Sequence, residues 1–372
     1  MTMWIGEQEI EDLAIGAALL GTGGGGDPYL GKLMVQKAIR KNGPIKMIDP
    51  TEVPDDELVI PTAMMGAPTI MVEKIPNGDE SLKSLQLVEE QLGKKAYATM
   101  PIECGGLNST IPFVVASELG IPVVDGDGMG RAFPELNMET FNIYGVNGTP
   151  MGLYNERGDK CLLTTLDNKM LEHISRGIAI RMGGACHIAL YGMSGTDVRR
   201  TAIPNTISLC IKLGRAIRQA GEGKQDVIKA IEHITENSIY GKSVVLFQGK
   251  VVDVERRSTD GFVRGKAIVE GFDNFEGEEL VVEFQNENLV AKVDDHTIAI
   301  VPDLISFLDL ETGSPITTEG LRYGFRVTCI GIPTPDIMRS EKALQVWGPR
   351  DFGYDMEYQK IEEIYDTRRE KV

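Results

Sequence analysis

Within Pro101–Glu135 the sequence gathers groups suited to acid/base work on a small molecule. Glu103, Cys104 and the Gly105-Gly106 pair come first, then Asp125, Asp127 and Arg131, interleaved with Gly126, Gly128 and Gly130. Carboxyl groups can move protons, and glycines let backbone N–H groups come close to a substrate. Two acids, a base and three glycines within seven residues are more than a turn needs. The plainer alternative is turn chemistry, with Arg131 paired to Asp125 or Glu135 at the surface. Spacing excludes a calcium loop, because Met129 stands at its fifth position and Leu136 where the bidentate Glu belongs.

These residues need elements to hold them. Ile111, Val114, Val115 and Leu119 recur at helical spacing behind Asn108 or Ser109 as N-cap, which predicts a helix over 109–119. The Cys104-Gly105-Gly106 turn then sits at the positive helix end, which would lower the thiol pKa. The run 121–124 reads as a buried strand, so Asp125 and Asp127 follow its carboxyl end, where open α/β sheets keep their ligand crevice. Strands over 58–65 and 96–99 around a helix over 82–92 give βαβ order and a largely parallel sheet. Met64-Met65-Gly66-Ala67-Pro68 at one strand end would form pocket wall.

Upstream, a helix ending near Leu19 and another opened by Asp27-Pro28 are joined by four consecutive glycines, Gly23 to Gly26. Gly21, Gly23 and Gly26 satisfy a dinucleotide G-x-G-x-x-G pattern, but the preceding residues are helical, so no nucleotide cofactor is expected. Gly23, Gly24 and Gly25 read either as a backbone nest for an anion or carbonyl, or as a flexible connection. Downstream come strands at 141–144 and 161–165 and a helix over 168–182. His187, on a strand after Gly183-Gly184, is either a core histidine or an acid/base or ligand group. Helices over 205–220 and 226–235 follow, the first preceded by Asp197, Arg199, Arg200 and Thr201, which could receive a substrate carboxylate. From Val244 onward, alternating β-branched runs between Gly, Asn and Asp turns predict a mostly antiparallel β domain, 243–350. The fold expected is thus α/β over 1–242 plus this β domain, with a closing helix over 356–370 packed back on the first domain.

The 372 residues carry a net charge of -17, from 38 basic and 55 acidic side chains. That balance repels phosphate backbones and anionic lipid, so neither nucleic acid nor membrane is an expected partner. There is no basic leader and no long uncharged apolar stretch, which points to the cytoplasm. Five scattered cysteines give no disulfide or zinc-finger spacing. A homo-oligomer is the ordinary expectation.

Gly21–Asp27, the Pro101-Ile-Glu-Cys-Gly-Gly-Leu-Asn-Ser motif and Val124-Asp-Gly-Asp-Gly-Met-Gly-Arg-Ala-Phe-Pro-Glu135 together resemble the DUF917, or S-methyl thiohydantoin desulfurase, family over nearly the whole chain. The resemblance implies a hydrolase of a hydantoin-like ring, related by context to hydantoinase and oxoprolinase proteins, that expels a thiol from an S-substituted thiohydantoin. For that reaction Glu103, Asp125 and Asp127 can supply acid/base carboxyls, and the Gly105 and Gly106 amides can stabilise the tetrahedral adduct. Asn108 and Arg131 can hold the substrate. Cys104 is a rival nucleophile, and water activated by a divalent metal such as zinc on Asp125, Asp127 and His187 is a third route. A non-catalytic protein that binds a small anion is the alternative function.

Overall fold

Leu58–Gly66 is a nine-residue, nearly unbroken apolar run, the pattern of a strand covered on both faces, and it stands near the middle of the first sheet. The computed structural model describes residues 2–66, 70, 74, 77–221, 223, 226–259 and 262–369. Ala67 and Pro68, expected beside the pocket wall, lie outside them. In chain order the first half contains β1 (Met3–Ile5), β2 (Ile45–Ile48), β3 (Leu58–Gly66), β4 (Ala98–Met100), β5 (Val123–Val124) and β6 (Gly126–Asp127). It continues with β7 (Met151–Tyr154), β8 (Lys160–Leu163), β9 (Ala185–Ala189), β10 (Met193–Ser194) and β11 (Ile203–Pro204). The sheet order is β1-β2-β5-β4-β3-β9-β7-β8, with β10 also on β3 and the short β6 and β11 paired to each other. The centre, β2-β5-β4-β3, is parallel, as the βαβ pattern predicts. Antiparallel strands extend it on both sides.

One expected strand is helical. Thr140–Ile143 forms a single turn because the Thr140 N–H and hydroxyl both donate to the Gly128 carbonyl, while Phe141 buries its ring against Tyr191. A four-residue apolar run cannot distinguish strand from helix by periodicity.

The second sheet is wholly antiparallel: β12 (Val244–Thr259), β13 (Phe262–Gly271), β14 (Glu279–Gln285), β15 (Glu287–Val293), β16 (His296–Ile300), β17 (Leu304–Asp309), β18 (Pro315–Ile316) and β19 (Arg326–Ile332). Asp294 and Asp295 turn the β15–β16 hairpin with positive φ, as a polar turn should. The closing helix, Ile361–Arg369, differs from the expectation. Its buried Ile361 joins the core of this β sheet, and its first N–H is taken by Asp303, 2.9 Å away.

The two halves share a core. Leu304, Leu308, Ile330 and Ile332 of the β sheet pack with Ile10, Leu13, Ile207 and Leu213 from helices Glu7–Leu20 and Thr206–Gly221. Those helices touch through glycine: a Cβ on Gly16 would lie 1.9 Å from the Cys210 carbonyl oxygen, and one on Gly214 1.7 Å from that of Asp12. Among the described residues no helix is long and apolar enough to cross a membrane.

A second glycine contact locks the site loops. Gly25 O accepts the Leu107 N–H at 2.9 Å, and a Cβ on Gly106 (φ 59°) would stand 2.2 Å from that same oxygen. Gly106→Ala should therefore lower unfolding free energy by about 2–4 kcal/mol, combining the left-handed penalty with a backbone clash. Urea unfolding of the two proteins measures it; a variant within about 0.5 kcal/mol of the parent would refute the packing described.

Candidate functional site

At the carboxyl ends of β3 and β4 lies a small cavity of ≈ 60 Å³, lined by Met64, Met65, Gly66, Glu103, Asn108, Glu135, Arg176 and Glu287. Met64-Met65-Gly66 thus forms wall, and Asn108 and Gly25 also reach it. A larger cavity of ≈ 510 Å³ opens between helices Glu7–Leu20 and Thr206–Gly221 and the 312–320 segment. Its cations are already engaged, Lys32 with Glu11 at 2.9 Å and Arg218 with Asp12 at 2.7 Å, and none of the residues selected from the sequence lines it. Size therefore favours one cavity and chemistry the other; the smaller carries the groups that can react.

Asn108 fixes one side of that cavity. Its Nδ2 donates to Glu103 Oε1 at 2.7 Å and to Met64 O at 3.1 Å, while its Oδ1 accepts the Met64 N–H at 2.7 Å. Glu103 Oε2 is buried without a hydrogen-bond partner. Burial lifts the Glu103 pKa well above the usual carboxyl range, and the nearby Glu287 adds to the rise. Glu287 comes from the other half of the chain. Asn286 (φ 59°) is the single residue between β14 and β15, and Glu287 follows it inward to accept the Gly25 N–H on Oε1 at 3.3 Å. Its Oε2 is likewise unpartnered, and burial pushes its pKa up to about 8, against the pull of Arg131. Behind them Glu139 is fully buried with neither oxygen hydrogen-bonded.

The remaining predicted residues hold this arrangement together. Asp127 Oδ2 accepts the N–H groups of Cys104, Met129 and Gly130 at 2.8, 3.0 and 2.7 Å, tying the Glu103 turn to the glycine loop. Burial lifts its pKa to about 6. Asp125 instead caps helix Thr206–Gly221 by accepting the Ser208 N–H at 2.9 Å, and neither aspartate lines the cavity. Arg131 is wholly buried. Its guanidinium donates to Thr22 Oγ1 and to the carbonyls of Ala132, Asn288, Pro302 and Asp303 at 2.8–3.1 Å, and it stacks on Phe133. A saturated guanidinium of this kind joins the two halves of the chain and leaves no fork for a substrate.

Cys104 departs from the expectation of a reactive thiol. Its side chain is buried beside Tyr240 and Cys210, and desolvation raises its pKa well above the ordinary thiol value, outweighing the helix end. The glycines serve packing more than binding. A Cβ on Gly105 would meet Gly21, one on Gly23 would meet Thr318 and Asn288, and one on Gly24 would meet Glu287; of the loop glycines only Gly25 borders the cavity. Asp197 and Arg200 pair with each other, and Arg199 binds Asp55 and the Val53 carbonyl, so these charges bind their own surroundings.

His187 lies elsewhere. It pairs with Met64 across β3 and β9, hydrogen-bonds Ser81 through Nδ1, and lines a separate minor cleft. Burial drops its pKa to about 4, keeping it neutral. Three strand spacings, about 14 Å, separate β9 from β5, the strand that Asp125 follows. Among the described residues no three His, Cys, Asp or Glu side chains are disposed to hold a metal ion, so Asp125, Asp127 and His187 do not form the expected centre.

Glu287, Arg176 and Glu139 belong to the site and were not selected from the sequence. Glu287 sits in Gln285-Asn286-Glu287-Asn288, which reads as an exposed hairpin turn and gives no sign that it folds inward. Because its folded pKa is raised, Glu287 weakens the fold progressively as pH climbs from about 4.5 through about 8. Glu287→Gln should thus gain stability relative to the parent between pH 5 and pH 8, by at most about 1.4 kcal/mol per pH unit. Denaturant titrations at both pH values test this; an unchanged difference would show that the carboxyl is solvated.

Comparison with known proteins adds the lineage. Residues 8–165 match the S-Me-THD-like N-terminal domain, and residues 166–361 the S-Me-THD-like C-terminal domain. No curated protein matches the chain. The crystal structure of a protein from Chromobacterium violaceum is similar to it at 26% identity and a TM-score of 0.81, covering 96% of this chain and 100% of that one. Matched from residue 8 to residue 361 by both domains in order, the chain belongs to the S-Me-THD-like family, that of the S-methyl thiohydantoin desulfurases (DUF917).

Proposed function

We propose that this chain hydrolyses a hydantoin-like five-membered ring, releasing a thiol from an S-substituted thiohydantoin, with Glu103 and Glu287 as the acid/base pair. One observation carries the reading: two buried glutamates, each with one carboxyl oxygen hydrogen-bonded and the other unpartnered, line the same small cavity. At about 60 Å³ that cavity has the volume of about two waters, so a five-membered ring enters only as the lining widens. The family name supports the substrate class.

In the addition step the ionised Glu287 takes a proton from water as the water oxygen bonds to C2, and Glu103 gives its proton to the ring nitrogen. On collapse the C2–S bond breaks. The adduct's hydroxyl proton returns to Glu103, Glu287 delivers its proton to the departing sulfur, and both carboxyls regain their starting states. Asp127 and Arg131 act at one remove, holding the Cys104 turn and the Asn288 strand on which the pair is mounted. Arg176 takes over the anchoring role first considered for Arg131, because it borders the cavity. A small-anion binding protein suits this lining less well, since Glu103, Glu135 and Glu287 face a single cation.

Glu103→Gln and Glu287→Gln should each lower kcat for thiol release by about 100-fold or more, whereas Cys104→Ala should stay within about tenfold of the parent. The parent's kcat/KM should rise with pH through about 8 as Glu287 ionises. A thiol-trapping assay of S-methyl thiohydantoin measures all three. Collapse of activity in Cys104→Ala with both glutamine variants active would replace this mechanism by a covalent one.

A further inference from the structure

The unpaired groups at this site are carboxyl oxygens, which accept hydrogen bonds when ionised and donate one when protonated. Glu103 and Glu287 line the cavity on side chains more than nine-tenths buried, and Oε2 of each lacks a hydrogen-bond partner. The donors nearest them are engaged, Asn108 Nδ2 with Glu103 and Met64 and the Gly25 N–H with Glu287, while Arg176 gives Nε to Glu172 and Nη2 to the Pro134 carbonyl and keeps N–H groups for the anchoring role above. Behind the cavity stand two further buried carboxyls, Asp127 and Glu139, and Arg131, whose guanidinium is hydrogen-bonded throughout. With Glu135, five carboxyl groups therefore stand against two cations, the buried Arg131 and the half-buried Arg176. A ligand that brings N–H donors and a positive charge satisfies both deficits together, since a planar N–C–N unit matches carboxylate oxygens as a guanidinium does.

We propose that the cavity recognises its substrate as a cyclic amidinium, a five-membered ring whose C2 lies between two nitrogens that share a proton, held between the carboxyls of Glu103 and Glu287. This rests on the hydrolytic reading above and sharpens it. An S-substituted thiohydantoin is a cyclic isothiourea and belongs to this class, whereas a hydantoin or a 5-oxoproline, with a carbonyl in place of the amidine, does not. An S-substituted thiohydantoin becomes the amidinium by taking the Glu103 proton on binding, before water adds, and protonation across the N–C–N unit leaves C2 more electrophilic. Binding a cation requires at least one of the paired carboxyls to be ionised, so a proton leaves the site when the ligand enters from neutral solution; Asp127, Glu135, Glu139, Arg131 and Arg176 are the other charged or titratable groups that face the pair.

Calorimetric titration of the full chain at pH 7 with 2-aminoimidazoline, a cation, and with 2-imidazolidinone, its neutral ring analogue, tests the inference without any variant. The cation should bind at least about tenfold more tightly, release a proton in a pair of buffers of different ionisation enthalpy, and lose affinity as pH falls. Glu287→Gln, its fold checked by circular dichroism, should reduce the preference for the cation. Equal or tighter binding of the neutral ring, or binding of neither, overturns the inference. Thiol release from S-methyl thiohydantoin, measured separately, decides the hydrolytic reading: turnover without cation preference would leave that reading standing and remove this one.

Discussion

The contact between two glycine backbones is the constraint on which the site depends. Gly21 and Gly25 lie against Gly105 and Gly106 more closely than any side chain allows, and the Leu107 N–H closes the contact on the Gly25 carbonyl. Because the backbones meet there, Glu103 and the Gly25 amide share one small space, and Glu287 can reach that amide from the second sheet. The cost is four glycines' worth of chain entropy, roughly 1 kcal/mol each relative to alanine. The return is a water-poor pocket in which carboxyl groups keep protons that they would lose in solvent.

Around that contact the electrostatics are arranged asymmetrically. Arg131 is buried with its hydrogen bonds complete, joining Thr22, Asn288 and the 302–303 turn, so it neutralises part of the acid field without entering the cavity. Asp127 does the corresponding work for the Cys104 turn through three N–H bonds. The groups that look most reactive in the sequence are thus the braces. Asp127 Oδ1 and both Glu139 oxygens are unpartnered too, but of the buried carboxyls left unsatisfied Glu103 and Glu287 are the ones that line the cavity.

Much of the architecture was legible before any coordinates. The apolar run at 58–66, the Asp27-Pro28 helix start and the β-branched alternation after Val244 each announce an element through local periodicity, and the α/β-then-β order follows from them. The density of Asp125, Asp127 and Arg131 predicts a site, whereas in the structure all three bond to neighbouring backbone and none lines the cavity. What spacing does not tell is what a buried acid meets: Asp127 takes three amides on one oxygen, while Glu103 takes the Asn108 amide and lines the cavity, a difference set by contacts some twenty residues distant. Glu287 was invisible because a polar hairpin turn normally faces solvent, and this one is pressed between Gly24 and Gly25. Likewise the helix-end argument for Cys104 omitted desolvation, which only the packed core reveals.

Two glutamic acids that keep protons at neutral pH line one cavity, and the proposed chemistry depends on them. Infrared spectroscopy of protein carrying isotope-labelled glutamate side chains reads this directly. Protonated carboxyl bands should persist at pH 7, one of them titrating near 8 and absent from Glu287→Gln, and a second should be lost in Glu103→Gln. A spectrum at pH 7 showing only ionised glutamates would contradict it.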